Sequence, residues 1–483
     1  MIQDTLVIGT GLSAWSVITS MDSLENVHVI DGNEKMRSKN FTTSKHLGLK
    51  TKFGSTHSFA DPLSLNLVDM SSNQLPASLS RGGLSEVWGN GFTPYPFSQL
   101  DSRNLITDLD IFLSMKELLD LMPHVADKAL LDSRFREFQE IYALTSYEGV
   151  ESHQFFIKVS KELSKKANSD FAFGRPFLFL NKSLCTSCGL CLTGCPYGAL
   201  FDAGEMFNSL ILSGKIKSSQ VHSGVVNKMI PKTDSIDVEF WNEDGLHVKS
   251  FKNVILCAGP IPTAAILMRS NLIEDDFKIP DSQVFYFAGF SMRRVSPVPE
   301  IAEIGQLAIY PVKIESGDFQ VGFYAPSKIS RERISSSLFR GPIHFLRVPK
   351  FISDRLIPGI GFLPQESSGF LTLKLEGDSI IVSRTSGDHI RKSAKHVVRI
   401  LTKLFSLTSL RVLKISLRIP DPGSGFHIGA SIPLDGNHID ELGRLRTETR
   451  IKVMDASILP SIPAGAHTFV TMALIRFLMK KDS

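Results

Sequence analysis

The chain has 483 residues, of which 42% are hydrophobic and 21% charged, with a net charge of +4 and five cysteines. This length exceeds one simple core and predicts two intimately joined domains, while so small a net charge, without a Lys/Arg block, argues against nucleic acid as a partner. No apolar run reaches the roughly 18 residues that span a bilayer, and the first residues lead straight into a strand, so a cytoplasmic protein is expected, its cysteines reduced or metal-bound.

The first sharp pattern is Leu6–Ala14, LVIGTGLSA, followed by Val27–Asp31, VHVID. It reads as an apolar strand, a glycine turn, a helix start and a second strand ending in an acid. Gly9 permits the turn, Gly11 lets a pyrophosphate approach the backbone, and small Ala14 lets helix pack on strand. The first helical turn then offers its N–H groups to phosphates, and Asp31 stands where a carboxylate can hold a ribose hydroxyl. The pattern predicts nucleotide binding without separating NAD from FAD. Next, Arg81–Gly91 (RGGLSEVWGNG) has four glycines in eleven residues. Its Gly82-Gly83 and Gly89-Asn90-Gly91 steps suit a backbone pressed on a flat ligand, with Trp88 packed between. Residues 100–145 show apolar spacing of three and four and predict helices.

Cys185–Pro196 reads CTSCGLCLTGCP and holds four of the five cysteines. The spacing of Cys185, Cys188, Cys191 and Cys195, with a proline after the last, is that of the bacterial ferredoxin run for a [4Fe–4S] cluster. Zinc is disfavoured, because its cysteine pairs are usually separated by a longer loop. The fourth cysteine of such runs serves a second cluster in two-cluster ferredoxins. With no second run here, either Cys195 or Cys257 closes the cluster, or the cluster is incomplete, or the run is a reduced cysteine-rich turn carrying no metal.

From Val221 to Cys257 strands return and end in Ala258-Gly259-Pro260 and the helix TAAILMRS, which again suits a nucleotide-binding sheet. Residues 283–420 carry short strands (VFYFAGF, QLAIYPV, FQVGFYA, FLTLKLEGDSIIVS) joined by turn residues, predicting an antiparallel sheet, then the amphipathic helix SAKHVVRILTKLFSL. Within it Leu338–Pro364 is apolar, basic and proline-rich, which reads as an active-site lid, a membrane-facing loop or an irregular core connection. The last sixty residues place His427 in GSGFHIGASIP and His467 in IPAGAHTFVTMAL. Histidine titrates near neutrality and suits a general base.

These pieces, in this order, resemble the glucose–methanol–choline (GMC) family of FAD-dependent oxidoreductases. The likeness lies in Val7–Asp31, GGLSEVWG, VILCAGPIPTAAILMRS and residues 423–476, above all MDASILPSIPAGAHTFVTMALI. CTSCGLCLTGCPYGA is also similar to a cysteine-rich segment of some long-chain alcohol-oxidising members. The first glycine signature of the family is shortened here, and Trp88 stands where sugar oxidases often have a smaller residue. The resemblance implies an α/β fold: a discontinuous, Rossmann-like FAD-binding domain and an inserted α+β substrate domain built on an antiparallel sheet. FAD contacts then fall on Gly9, Gly11, Leu12, Ser13, Ala14 and Asp31; on Gly82, Gly83, Ser85, Trp88 and Gly89; and on Val226, Ala258, Gly259, Asp455, Ala456, His467 and Thr468. His427 is the implied base for an alcohol giving hydride to flavin N5, and His467 the hydrogen-bond partner of the substrate oxygen.

The expected division assigns 1–100, 205–280 and 421–483 to the FAD-binding domain. Residues 101–180 form a helical part of the substrate or cap region, 181–204 the cluster segment, and 281–420 the substrate-binding domain. The leading expectation is an FAD-dependent alcohol dehydrogenase that passes electrons through an iron–sulfur cluster to an acceptor protein or quinone. Its substrate is a small-molecule alcohol (sugar, sterol or long-chain), and contact with a membrane surface is left open. The rivals are a GMC-like lyase with structural FAD, which has no use for a redox relay, and a ferredoxin-coupled flavin reductase.

Overall fold

In the computed structural model the strand Gln3–Ile8 is buried on both faces, with Leu6 and Val7 fully enclosed. Such a run pairs in parallel with its neighbours. It lies between Val27–Asp31 and the C-terminal part of Gly245–Leu256, parallel to both. Val221–Ser223 extends the sheet beyond Val27–Asp31, and Ile451–Val453 pairs with Val254–Leu256, again in parallel. In chain order the parallel strands therefore lie third, second, first, fourth, fifth. Val225–Pro231 and Ile236–Asn242 complete a seven-stranded sheet as an antiparallel meander with Gly245–Leu256. The residues described are 3–32, 65, 67–69, 75–88, 91–92, 97, 100–101, 103, 105–122, 154–165, 171–174, 176–181, 183–186, 195, 197–295, 307–311, 319–324 and 349–482.

Helices Leu12–Ile18 and Asp108–Leu121 pack against the last helix, Thr468–Lys481. That helix is buried nearly all round, from Phe469 to Met479, as an element enclosed by others must be. Its one buried cation, Arg476, donates to Glu117 at 2.7 Å and to the Thr19 carbonyl at 3.1 Å. Asp108–Leu121 carries a capping box between Thr107 and Asp110, and it accounts for the front of the helical stretch read at 100–145; residues 123–145 lie outside the described residues.

The predicted antiparallel sheet has six strands in the order Leu410–Arg418, Val284–Ser291, Leu356–Phe362, Gln320–Phe323, Leu307–Pro311 and Phe171–Gly174. Helices Gln154–Ser164 and Asp388–Leu404 cover it and share its core with Phe285, Phe287 and Phe323. Two expectations change here. The hairpin Phe370–Glu376/Ser379–Thr385 joins a separate four-stranded sheet, with Asp276–Pro280 and Leu67–Asp69. Its inward side chains Leu371, Leu373, Ile380 and Val382 are fully buried in the other cluster, with the parallel sheet. And the end of the Leu338–Pro364 stretch is the regular strand Leu356–Phe362, while 338–348 lies outside the described residues. Gly359 and Gly361 sit in that strand because a Cβ there would fall 2.6 and 2.0 Å from the rings of Phe287 and Phe285.

Candidate active site

The glycine turn after Gln3–Ile8 is locked by strand hydrogen bonds: Gly9 N–H donates to Ile30 and Cys257 N–H to Ile8, both at 2.9 Å. Gly9 has φ +112°, and a Cβ would lie 2.6 Å from the Cys257 carbonyl oxygen, so only glycine fits. Gly11 caps helix Leu12–Ile18 with no side-chain acceptor, and that first turn has no acidic residue. The second glycine run packs directly on the first. Gly82 adopts φ +89°, and its N–H donates to Thr10 Oγ1 at 3.0 Å.

One cavity is lined by both turns. Gly9, Gly11, Leu12, Ser13 and Asp31 border it, as do Gly83, Ser85 and Trp88 from the second run. Val226, Ala258 and Gly259 come from the later strands, and Asp455, Ala456, His467 and Thr468 from the C-terminal block. Ala14 instead belongs to the buried core, and Gly82 lies behind the lining, its hypothetical Cβ 2.6 Å from Gly204 N. Gly89 lies outside the described residues.

Asp31 holds protein donors on both oxygens. Thr10 Oγ1 donates to Oδ1 at 2.8 Å and Arg81 Nε to Oδ2 at 2.7 Å, in an ion pair whose side chains are 8% and 2% exposed. Arg81 in turn donates to Asn208 Oδ1 at 2.9 Å. Each carboxylate oxygen keeps a second lone pair, so a further donor can be accepted. Arg81, which opens the second glycine run, carries no local mark in the sequence of this pairing with Asp31.

Asp455 is 1% exposed and does a comparable job on the other wall. Its Oδ2 accepts from Gly259 N at 3.0 Å and Thr263 Oγ1 at 2.5 Å, and its Oδ1 from Ser457 N at 2.9 Å. Burial pushes its carboxyl pKa up, and these donors oppose the rise. It thereby ties the C-terminal block to the left-handed Gly259 turn (φ +87°) that starts helix Pro260–Arg269.

The two histidines meet although forty residues separate them. His427 lies half-buried on a loop whose backbone is held from below: Asp281 Oδ2 accepts from Gly423 N at 2.8 Å, and Ser282 N–H donates to the His427 carbonyl at 2.9 Å. The ring of His427 stacks on Phe362 at 4.5 Å and meets His467 edge-on at 5.4 Å. His467, 5% exposed, begins helix Thr468–Lys481, and its Nδ1 has no hydrogen-bond partner among the described residues. Burial lowers its pKa to about 4, a contact with the Gly465 backbone opposing, so the ring is neutral at ordinary pH. Phe362 comes from the six-stranded sheet, so the histidine pair lies where that sheet meets the glycine turns. A backbone placement at Phe426, with φ +60°, accompanies this loop and is uncommon for a bulky residue.

The cysteine segment leaves and re-enters through a closed base. Leu180 and Leu200 form an antiparallel bridge, and Asn181 N–H donates to the Ala199 carbonyl at 2.7 Å. Cys185 and Cys195 pack around Leu180 and Ala199, and Ala199 N–H donates to Cys195 Sγ at 3.3 Å. Cys188 and Cys191 lie outside the described residues, among which no group of three or more metal-binding side chains occurs. Cys257, the alternative fourth ligand, is buried in the main core and lines the cavity; burial, then Asp455, pushes its thiol pKa up. Phe179, at the base of the cysteine segment, lies 5.4 Å from Trp88 on the cavity wall.

Residues 178–201 match the 4Fe-4S binding domain. No curated protein matches the chain by sequence. In fold the chain is similar to pyridoxine 4-oxidase from Mesorbium loti, with a TM-score of 0.64, 13% identity and 99% of each chain covered. The protein thus shares the fold of pyridoxine 4-oxidase over 99% of both chains, consistent with the family its motifs resemble, and carries a 4Fe-4S binding motif at residues 178–201.

Proposed function

We propose that the protein is an FAD-dependent oxidoreductase acting on an alcohol group, with an iron–sulfur cluster that carries the electrons onward. The observation that carries this reading is the convergence on one cavity of two glycine turns, the Asp455 tether and the His427–His467 pair. Whole-chain likeness in fold to an oxidase supports it. The parallel order third, second, first, fourth, fifth is that of a doubly wound nucleotide-binding sheet. We assign FAD to that sheet and its cavity, and the alcohol to the space between them and the six-stranded sheet. The residues present fit the flavin cofactor: the Gly11 helix start has no capping side chain, and His467 Nδ1 is buried without a partner among the described residues. They also fit a cluster, since the Ala199 N–H bond to Cys195 Sγ is the kind of donor that stabilises a ligating thiolate.

When bound, the flavin supplies the acceptor for the hydrogen and electron pair leaving the alcohol carbon. His427 takes the hydroxyl proton as the carbon–oxygen double bond forms. Neutral His467 donates a hydrogen bond to the same oxygen while it carries negative charge. Phe362 keeps the His427 ring in one plane, which preserves the approach geometry on which such a base depends. Trp88 and Phe179 form the short path from the cavity to the cysteine segment. A cluster held there would hand electrons to an acceptor protein or a quinone. No helix among the described residues is long and apolar enough to cross a membrane.

The test is to release and identify the nucleotide from anaerobically purified protein while measuring iron and labile sulfide. The expected outcome is FAD with about four iron per chain, the iron lost in Cys185→Ser. Well-folded protein holding NAD or no nucleotide refutes the flavin reading. FAD without iron refutes the relay alone.

A further inference from the structure

Away from the active site, helix Asp388–Leu404 and edge strand Leu410–Arg418 enclose a second cavity. Its rim is Arg391, Lys395 and Arg399 from the helix and Lys414 from the strand; its floor is Val398, Leu417 and Ile419. All four cations are exposed, and none has an ion-pair partner among the described residues. The three helical ones recur every fourth residue, a like-charge spacing that costs helix stability. Residues 388–418 contain eight Lys and Arg and one Asp, whereas the entire chain has a net charge of only +4. A merely solvated face ordinarily mixes both signs. This one concentrates a single sign that neither segment shows alone as a contiguous block, because the helix face and the strand combine only in the fold.

Two exposed aliphatic side chains lie close to these cations in sequence, within the same helix–strand unit. Ile415, next to Lys414, is 85% exposed, and Leu407, just beyond the helix end, is 66% exposed. A binding face for a soluble polyanion has no need of protruding aliphatics, whereas a lipid interface takes cations at the headgroups and aliphatics beneath them.

We propose that this face docks on an anionic membrane surface, with a lipid phosphate seated among Arg391, Lys395, Arg399 and Lys414 and with Ile415 and Leu407 inserted below the headgroups. The apolar floor suits the glycerol and first acyl carbons under the phosphate, and no covalent step is involved. The proposal is independent of the reaction at the flavin cavity.

Co-sedimentation with phosphatidylcholine vesicles, with and without phosphatidylglycerol, tests it at near-physiological salt. Wild type should bind only the vesicles with phosphatidylglycerol. Each cation near such a surface contributes about fivefold, so Arg391→Gln/Lys395→Gln/Arg399→Gln should weaken binding by about a hundredfold. Ile415→Ser/Leu407→Ser should also release the protein, with charge unchanged. These positions are exposed, and unaltered circular dichroism and flavin absorbance would verify the fold of each variant. No binding to anionic vesicles overturns the proposal, as does binding that the triple variant retains. Binding that polyglutamate abolishes and that is indifferent to the Ile415/Leu407 change also overturns it, and assigns the face to an acidic protein.

Discussion

Asp281 allows the support beneath His427 to be tested by pH. Its side chain is fully buried; one oxygen accepts from Gly423 N–H and the other has no partner among the described residues. Burial raises its pKa from 3.8 to about 7, against the opposing Gly423 backbone N–H and the charge of Arg384. The folded state therefore holds this proton more tightly than the unfolded chain. Its contribution to stability is complete below about pH 4 and is lost as pH rises through about 7, a total of about 4 kcal/mol at about 1.4 kcal/mol per pH unit. Asp281→Asn keeps an oxygen acceptor for Gly423 and cannot ionise, so its stability should lack this slope. Thermal melts of wild type and variant from pH 4 to pH 8 measure it: the variant's melting temperature should rise relative to wild type as pH increases. Asp281→Ala should show the same flat profile set lower, by about 1–3 kcal/mol, because Gly423 N–H is then buried without an acceptor. Parallel wild-type and Asn profiles across that range would refute the reasoning, since they require an ionised Asp281 in the folded protein throughout.

His427→Asn should lower turnover by roughly a hundredfold or more with FAD retained, and His467→Asn by less, as steady-state assays on an accepted alcohol would reveal; full activity in both removes the pair from the chemistry. Since His467 stays neutral down to pH about 4, any acid limb above pH 5 in the rate profile should persist in His467→Asn. Gly9→Ala forces a Cβ against the Cys257 carbonyl at a φ of +112°, and should cost about 1–3 kcal/mol and release flavin on dilution, read by fluorescence of the filtrate.

Local pattern was enough for the elements whose chemistry is local. Gly9 and Gly259 mark turns because both need a positive φ, and at Gly9 a Cβ would also strike the Cys257 carbonyl; apolar runs such as Leu6–Ile8 and Val254–Leu256 mark strands because both faces are covered. The histidines in glycine-rich settings and the cysteine spacing were legible for the same reason. Which distant groups face one another was not. Arg81 reaches Asp31 across fifty residues, and Asp281 holds the loop of His427 across more than a hundred. The hairpin Phe370–Thr385 has the same alternation as its neighbours, yet it enters another sheet, because alternation reports that one face is buried and not what buries it. Leu356–Phe362 hid as a loop because its glycines, which look like breaks, make room for Phe285 and Phe287. Propensity and periodicity are set within a few residues; charge pairing, sheet membership and the meeting of His427 with His467 depend on contacts that exist only once the chain has closed on itself.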